Sequence, residues 1–163
     1  MPFAIVRVRS MKIGLIADTH NDLPPQVAAH FAGVDRILHA GDVCDPGLIT
    51  RLQGIAPVTV VAGNNDFHPS WRETEVVDFA NYRFLIQHIV APHHPTPTFS
   101  VRLLKIRPQV VVFGHTHRPF SEVVDGVHYL NPGSAGQSRS GIPRSVCLVH
   151  ITAEGLHPVF FNL

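Results

Sequence analysis

Short runs of β-branched and aliphatic residues, each breaking off at a polar cluster, limit the fold of this chain more than any other feature. Ile13-Gly14-Leu15-Ile16-Ala17, Arg36-Ile37-Leu38-His39, Val58-Thr59-Val60-Val61 and Val110-Val111-Val112-Phe113 have the length and apolar character of buried strands. They run out into Asp18-Thr19-His20, Gly41-Asp42, Gly63-Asn64 and Gly114-His115-Thr116-His117, and a fifth strand, Tyr82 to Gln87, ends in His88. In open α/β sheets ligands gather beyond the carboxyl ends of the strands, so clusters remote in sequence are expected in one crevice. A lone Asp or Asn beside Gly is ordinary turn chemistry. Repeated strand ends carrying carboxylate, amide and imidazole, mostly beside a Gly that lets backbone approach closely, are a donor set for metal. Within the last cluster, alternate residues of an extended segment share a face, which pairs His115 with His117.

Helical segments alternate with these strands. Pro24 to Phe31 opens on prolines that suit a first turn, Pro46 to Gln53 follows Asp45 as N-cap, and Pro97 to Arg107 forms the third. After Phe113 the pattern changes: Glu122 to Val124 and Val127 to Leu130 flank Asp125-Gly126, a strong hairpin signal. Ser145 to Thr152 and His157 to Phe161 form another strand pair around Glu154-Gly155. A βα first half and an antiparallel second half predict an α/β sandwich of two sheets packed face to face, with helices on the outer faces. Residues 11–163 are expected to form one domain, and a chain of 163 residues buries roughly 70% of its unfolded surface. Residues 1–10 read as an N-terminal extension or an extra edge strand.

A hydrophobic share of 45% with 15% charged residues describes a compact chain rather than a disordered one. The formal charge of +1 gives no electrostatic case for nucleic acid or an anionic membrane as main partner. No apolar run is long enough to span a bilayer, and the basic first ten residues lack the apolar stretch of a signal peptide. Cys44 and Cys147, the only two cysteines, read as free thiols of a cytoplasmic protein. Trp71, Phe67 and Val76-Val77 mark either core or the patch of a homodimer or higher homo-oligomer. No G-x-S-x-G elbow, P-loop or C-x-x-C offers another chemistry.

The series Asp18-x-His20, Gly41-Asp42, Gly63-Asn64-Asn65-Asp66, His88, Gly114-His115-Thr116-His117 and Asn131-Pro132-Gly133-Ser134 resembles the calcineurin-like metallophosphoesterases, most closely their small single-domain microbial phosphodiesterases. The resemblance implies the same two-sheet α/β sandwich and a site for two divalent metal ions, with manganese favoured over iron, zinc, nickel or magnesium. It implies that Asp18, His20, Asp42 and His117 hold one ion and that Asp42, Asn64, His88 and His115 hold the other, with Asp42 bridging. Imidazole, carboxylate and amide oxygen without thiolate suit borderline to hard divalent ions and argue against a closed structural zinc site.

Two ions about 3.5–4 Å apart activate a bridging water and clamp a phosphoryl group for in-line displacement, so the expected reaction is phosphodiester hydrolysis by a metal-bridging hydroxide. Asp42, Asn64, Asp66 and His115 are the expected catalytic residues. Asn65 and Arg118, whose guanidinium suits a phosphate, are the expected contacts to a phosphate-ester substrate. Two departures from the family leave choices open. Asn65 stands where many relatives have a His, which leaves Asp66 and His68 as candidates for the proton donor. Ile89 follows His88 where the family usually has Gly, so His93 or His94 are substitutes for the fifth ligand. Two alternatives accompany the enzyme: a metallophosphoesterase-fold interaction scaffold with weak or no catalysis, and a nuclease using the same site.

Overall fold

The computed structural model describes residues 9–163. Of the expected N-terminal extension or edge strand, residues 1–8 lie outside the described residues, and Arg9 and Ser10 are in no regular element. The elements are β1 (Met11–Ile16), α1 (Gln26–His30), β2 (Arg36–His39), α2 (Pro46–Gln53), β3 (Val58–Val60), β4 (Thr74–Phe79), β5 (Tyr82–Gln87), α3 (Pro97–Ile106), β6 (Val110–Val112), β7 (Pro119–Val124), β8 (Val127–Pro132), β9 (Ser145–Thr152) and β10 (Gly155–Asn162).

They build two five-stranded sheets, ordered β10-β9-β1-β2-β3 and β4-β5-β6-β8-β7. The two-sheet sandwich is as expected, and the second half of the chain contributes strands to both sheets. The β7–β8 hairpin closes across Asp125-Gly126 as predicted, but β8 runs parallel to β6, and β9 crosses back to pair antiparallel with β1. Both sheets are therefore mixed. The segment Val76-Val77 lies in β4, a strand the sequence reading did not assign; it edges the second sheet opposite β5.

Burial explains the layering. A central layer of Ile13, Leu15, Leu38, Phe84, Ile86, Val112, Leu130 and Val149 fills the space between the sheets. Alternate residues of the same strands point outward: Ile16, Ile37 and Val146 pack under α1 and α2 with Phe31, Leu48 and Leu52, while Leu85, Val111 and Tyr129 pack under α3 with Phe99. Each fully buried Leu, Ile or Phe contributes about 1.5–3 kcal/mol of transfer free energy, so strands wet on neither face are stabilised from both sides. The ring of Phe31 seats directly on β1, where a Cβ on Gly14 would come within 2.9 Å of it.

The helices start where the sequence signals them. Asp45 caps α2 by accepting from Gly47 N at 2.8 Å, and Thr96 caps α3 by accepting from Phe99 N at 3.2 Å. Helix α1 is shorter than the predicted Pro24 to Phe31, because Pro24 and Pro25 lead into it rather than joining it. Trp71 packs against the layer under α1 and α2, whereas Phe67 is 92% exposed. Among the described residues no helix is long and apolar enough to cross a membrane.

Register positions the site. Ile16 stands opposite His39 across β1–β2, and His39 opposite Val60 across β2–β3. The three strands thus end level, and the residues after them leave from one edge. In the second sheet Ile86 pairs Val112, and Val112 pairs Leu130, so His88, Gly114 to His117 and Asn131 leave from a matching edge.

Candidate metal centre

The loops leaving these edges are strained. Asp18, His20, Asp42, His115 and His117 have φ of 52°, 44°, 55°, 69° and 58°, a region in which a non-glycine residue costs about 1–3 kcal/mol and persists only where surrounding contacts fix it. Those contacts are present. Asp18 N donates to Gly41 O at 3.0 Å, His20 N to Asp42 O at 3.0 Å and Ala135 N to Ala17 O at 3.0 Å, while Gly136 N and Ser134 Oγ donate to Asp18 O at 3.1 and 2.9 Å. Asp18 Oδ2 accepts from His115 N at 3.0 Å, joining the two sheets' loops.

All seven side chains expected as metal ligands are brought together. His117 Nε2 lies 3.3 Å from Asp18 Oδ1 and 3.3 Å from His20 Nε2. His20 Nε2 is 3.6 Å from Asp42 Oδ2, and His88 Nε2 is 3.3 Å from the same oxygen. Asn64 Oδ1 lies 3.1 Å from both His88 Nε2 and His115 Nδ1. Asp18 faces two groups at once, one with His20 and His117 and one with Asp42 and His88.

The donor set fits a cation on two counts. Asp18 Oδ1 is buried with no hydrogen-bond partner among the described residues, and such an orphan costs about 1–3 kcal/mol, more when charged. Two buried carboxylates side by side also repel unless positive charge lies between them. His88 Nδ1 is 2.7 Å from the carbonyl of Ala40, which only accepts. That bond places a proton on Nδ1 and leaves Nε2 facing Asp42 and Asn64, a second donor when the ring is charged and the lone pair offered to a metal when it is neutral.

Electrostatics follow from the same contacts. Burial pushes the Asp42 carboxyl up, but hydrogen bonds from His88 and from the backbone and side chain of Asn65 outweigh it and hold it well below the carboxylate range. Burial pulls His88 down, and its bonds to Asp42 and Ala40 with the charge of Asp18 reverse this, so it is raised. In His20 burial prevails over Asp42 and Asp18, and the imidazole is lowered.

Two expected roles change. Asn65 donates to both carboxylate oxygens of Asp42, from N and Nδ2, at 2.8 Å each; its amide braces Asp42 rather than facing substrate. Asp66, expected as a catalytic residue, accepts from Cys44 N at 2.7 Å, Gly63 N at 2.8 Å and Val43 N at 3.2 Å. Both its oxygens are engaged by backbone N–H groups, so it ties the loops after β2 and β3 together. Of the substitutes for His88, His94 is exposed with no side-chain contact to the centre, and His93 pairs with Glu122 at 3.1 Å. His68 stacks on Trp71 with ring centroids 4.5 Å apart. Arg118 is exposed and borders a cavity beside His115 and His117.

One support, His39, was not singled out for the site from the sequence. His39, fully buried, accepts from Gly41 N through Nδ1 at 3.2 Å and donates through Nε2 to Thr19 Oγ1 at 3.1 Å; Thr19 passes a bond to Val43 O. Burial holds His39 down at about 4, so it stays neutral. Asn131 Nδ2 donates to Gly114 O at 2.9 Å, which gives the Asn131 to Ser134 segment a supporting role under the histidine loop. The signal for His39 was only its place beside Gly41-Asp42. Cys44 and Cys147 are unpaired, and Cys44 Sγ lies 3.8 Å from His20 Nδ1.

Residues 11–154 match the calcineurin-like phosphoesterase superfamily domain. A probable metallophosphoesterase of Methanothermobacter thermautotrophicus is 36% identical over 156 residues, covering 90% of this chain and 89% of the relative. A phosphodiesterase of Methanocaldococcus jannaschii is 30% identical over 155 residues, covering 82% and 89%. Among solved structures, a single mutant of Vps29 from Entamoeba histolytica superimposes with a TM-score of 0.74 at 21% identity, covering 94% of this chain and 99% of its own.

Proposed function

Because the chain belongs to the calcineurin-like phosphoesterase superfamily, we propose that it is a metal-dependent phosphodiesterase working from the Asp18, Asp42 and histidine cluster. The single observation that carries this reading is the convergence of two buried carboxylates and the imidazoles of His20, His88 and His117 around Asp18 Oδ1, which has no hydrogen-bond partner among the described residues. Asp18, His20, Asp42 and His117 would hold one divalent ion and Asp42, Asn64, His88 and His115 a second, manganese being the favoured metal. Such a pair supplies an activated water and charge neutralisation at a phosphoryl group.

The chain's own residues then act by position. Asp42, braced by Asn65, stays ionised so that it can be shared. Ala40 O sets the tautomer of His88, and Asn64 Oδ1 links His88 to His115. Positive φ values at Asp18, Asp42 and His117, held by the backbone hydrogen bonds of the loops, fix the direction in which these side chains leave the backbone, and donors fixed in this way lower the reorganisation a reaction requires.

The test is hydrolysis of bis(p-nitrophenyl) phosphate and of p-nitrophenyl phosphate by manganese-loaded protein, with Asp42→Ala as control. Diester turnover that disappears in the control is the expected result. A protein that binds metal and cleaves neither ester would sink the enzyme reading. The likeness to Vps29 favours a second reading, a catalytically weak interaction scaffold on the same fold; the complete donor set weighs against it.

A further inference from the structure

A cavity of about 210 Å³ opens beside His115 and His117 and is lined by Thr116, Arg118, Arg139 and Ser140. Two arginines thus border one small space. Neither forms a side-chain hydrogen bond or ion pair among the described residues, although other arginines of the chain do: Arg83 meets Asp78 at 2.8 Å and Arg144 meets Asp22 at 2.7 Å.

The opposite balance holds in a second cavity of about 250 Å³, which opens from Asn64 and His88. Glu73 and Arg102 line it together with Gln87 and Ile89, and Arg102 donates to Gln87. One cleft beside the centre is therefore dibasic and the other mixed in sign.

Two like charges over one space repel each other and favour an occupant of charge near −2. A terminal phosphate monoester carries about −1.5 to −2 at neutral pH and presents the oxygens that guanidinium grips in pairs. A phosphodiester linkage carries a single negative charge and matches one arginine. Building on the phosphodiesterase reading above, we propose that the Arg118–Arg139 cavity seats a second, terminal phosphate of the substrate. The preferred substrate is then a phosphodiester that also bears a phosphomonoester on one of its arms.

Two measurements separate this proposal from the reading it rests on. Calorimetry on metal-loaded protein compares thymidine bisphosphate with thymidine monophosphate, and turnover compares a thymidine p-nitrophenyl phosphodiester with and without a phosphate on its other hydroxyl. The bisphosphate should bind about tenfold tighter, a step of the size charge-assisted bonds supply, and the added phosphate should raise kcat/KM similarly. The double variant Arg118→Gln/Arg139→Gln should erase both ratios, whatever its absolute activity. Ratios near one in the unmodified protein, or ratios unchanged in the double variant, overturn the proposal. Turnover without a ratio rejects the cavity and keeps the enzyme; a binding ratio without turnover of either ester keeps the cavity and rejects the enzyme. Affinity for oligothymidylates that climbs with every added internal phosphate would replace the terminal phosphate with a nucleic-acid backbone.

Discussion

Protonation of His39 should loosen the metal loops, and His39→Gln measures by how much. The imidazole accepts from Gly41 N and donates to Thr19 Oγ1 at the ends of β2 and β1, so both partners require the neutral ring. Burial lowers its folded value from 6.5 to about 4. Below pH 6.5 the unfolded chain therefore takes up a proton that the folded chain refuses, and stability falls as pH falls toward 4. A difference of about 2.5 units at about 1.36 kcal/mol each corresponds to about 3 kcal/mol over that window, and to about 2 kcal/mol between pH 7 and pH 5.

The assay is urea unfolding of chelator-treated protein at both pH values. At a slope of about 2 kcal/mol per M, His39 should account for about 1 M of the fall in the unfolding midpoint. His39→Gln keeps an acceptor and a donor but no titration, so its midpoint should fall by that much less. His20 and His128 are also lowered by burial, and their contributions cancel between the two proteins. An identical pH-dependent fall in both would refute the reasoning.

Three further outcomes test the loops and the ligand set. A Cβ on Gly136 would sit 2.4 Å from Thr19 O and 2.7 Å from Asp18 O; Gly136→Ala should cost about 1–3 kcal/mol, read as a Tm lower by roughly 2–10 °C together with weakened manganese binding. Asp66→Asn sets an amide NH₂ against backbone N–H groups and should destabilise by about 1–3 kcal/mol in thermal melts; loss of one limb of the pH–rate profile at unchanged Tm would instead return Asp66 to proton donation. His88→Ala should weaken manganese binding by at least about 100-fold in a competition titration, beyond the loss typical of outer partners, whereas His93→Ala, removing one exposed ion pair with Glu122, should stay within about twofold. Equal effects would mean that the fifth ligand is misplaced.

Much of this architecture was legible in the chain. The apolar runs that became β1, β2, β5 and β6 are continuous where both faces of the strand are covered, and a run of that kind has few other homes. Asp45, Thr96 and Asp125-Gly126 act locally, through caps and a turn within a few residues of themselves. Strand β4 escaped notice because Thr-Glu-Val-Val-Asp-Phe is a half-wet edge sequence, stabilised by its pairing with β5 more than by its own pattern.

The sequence by itself determined which donor side chains sit at which strand ends, because strand character and donor type are properties of short segments. Only the tertiary structure decided what each one touches. Asn65 and Asp66 follow Asn64 in the chain and look equally available, yet the approach of the β2 loop turns one amide onto Asp42 and wraps the other carboxylate in three backbone N–H groups. His39 reads as a strand residue until β1 and β2 lie level and place it between Thr19 and Gly41. Likewise Arg118 and Arg139 become one dibasic cavity only when the two loops fold over the same edge. Hydrogen bonds and charge pairs act over a few ångströms, and contacts between segments twenty or more residues apart exist only once the sheets are assembled.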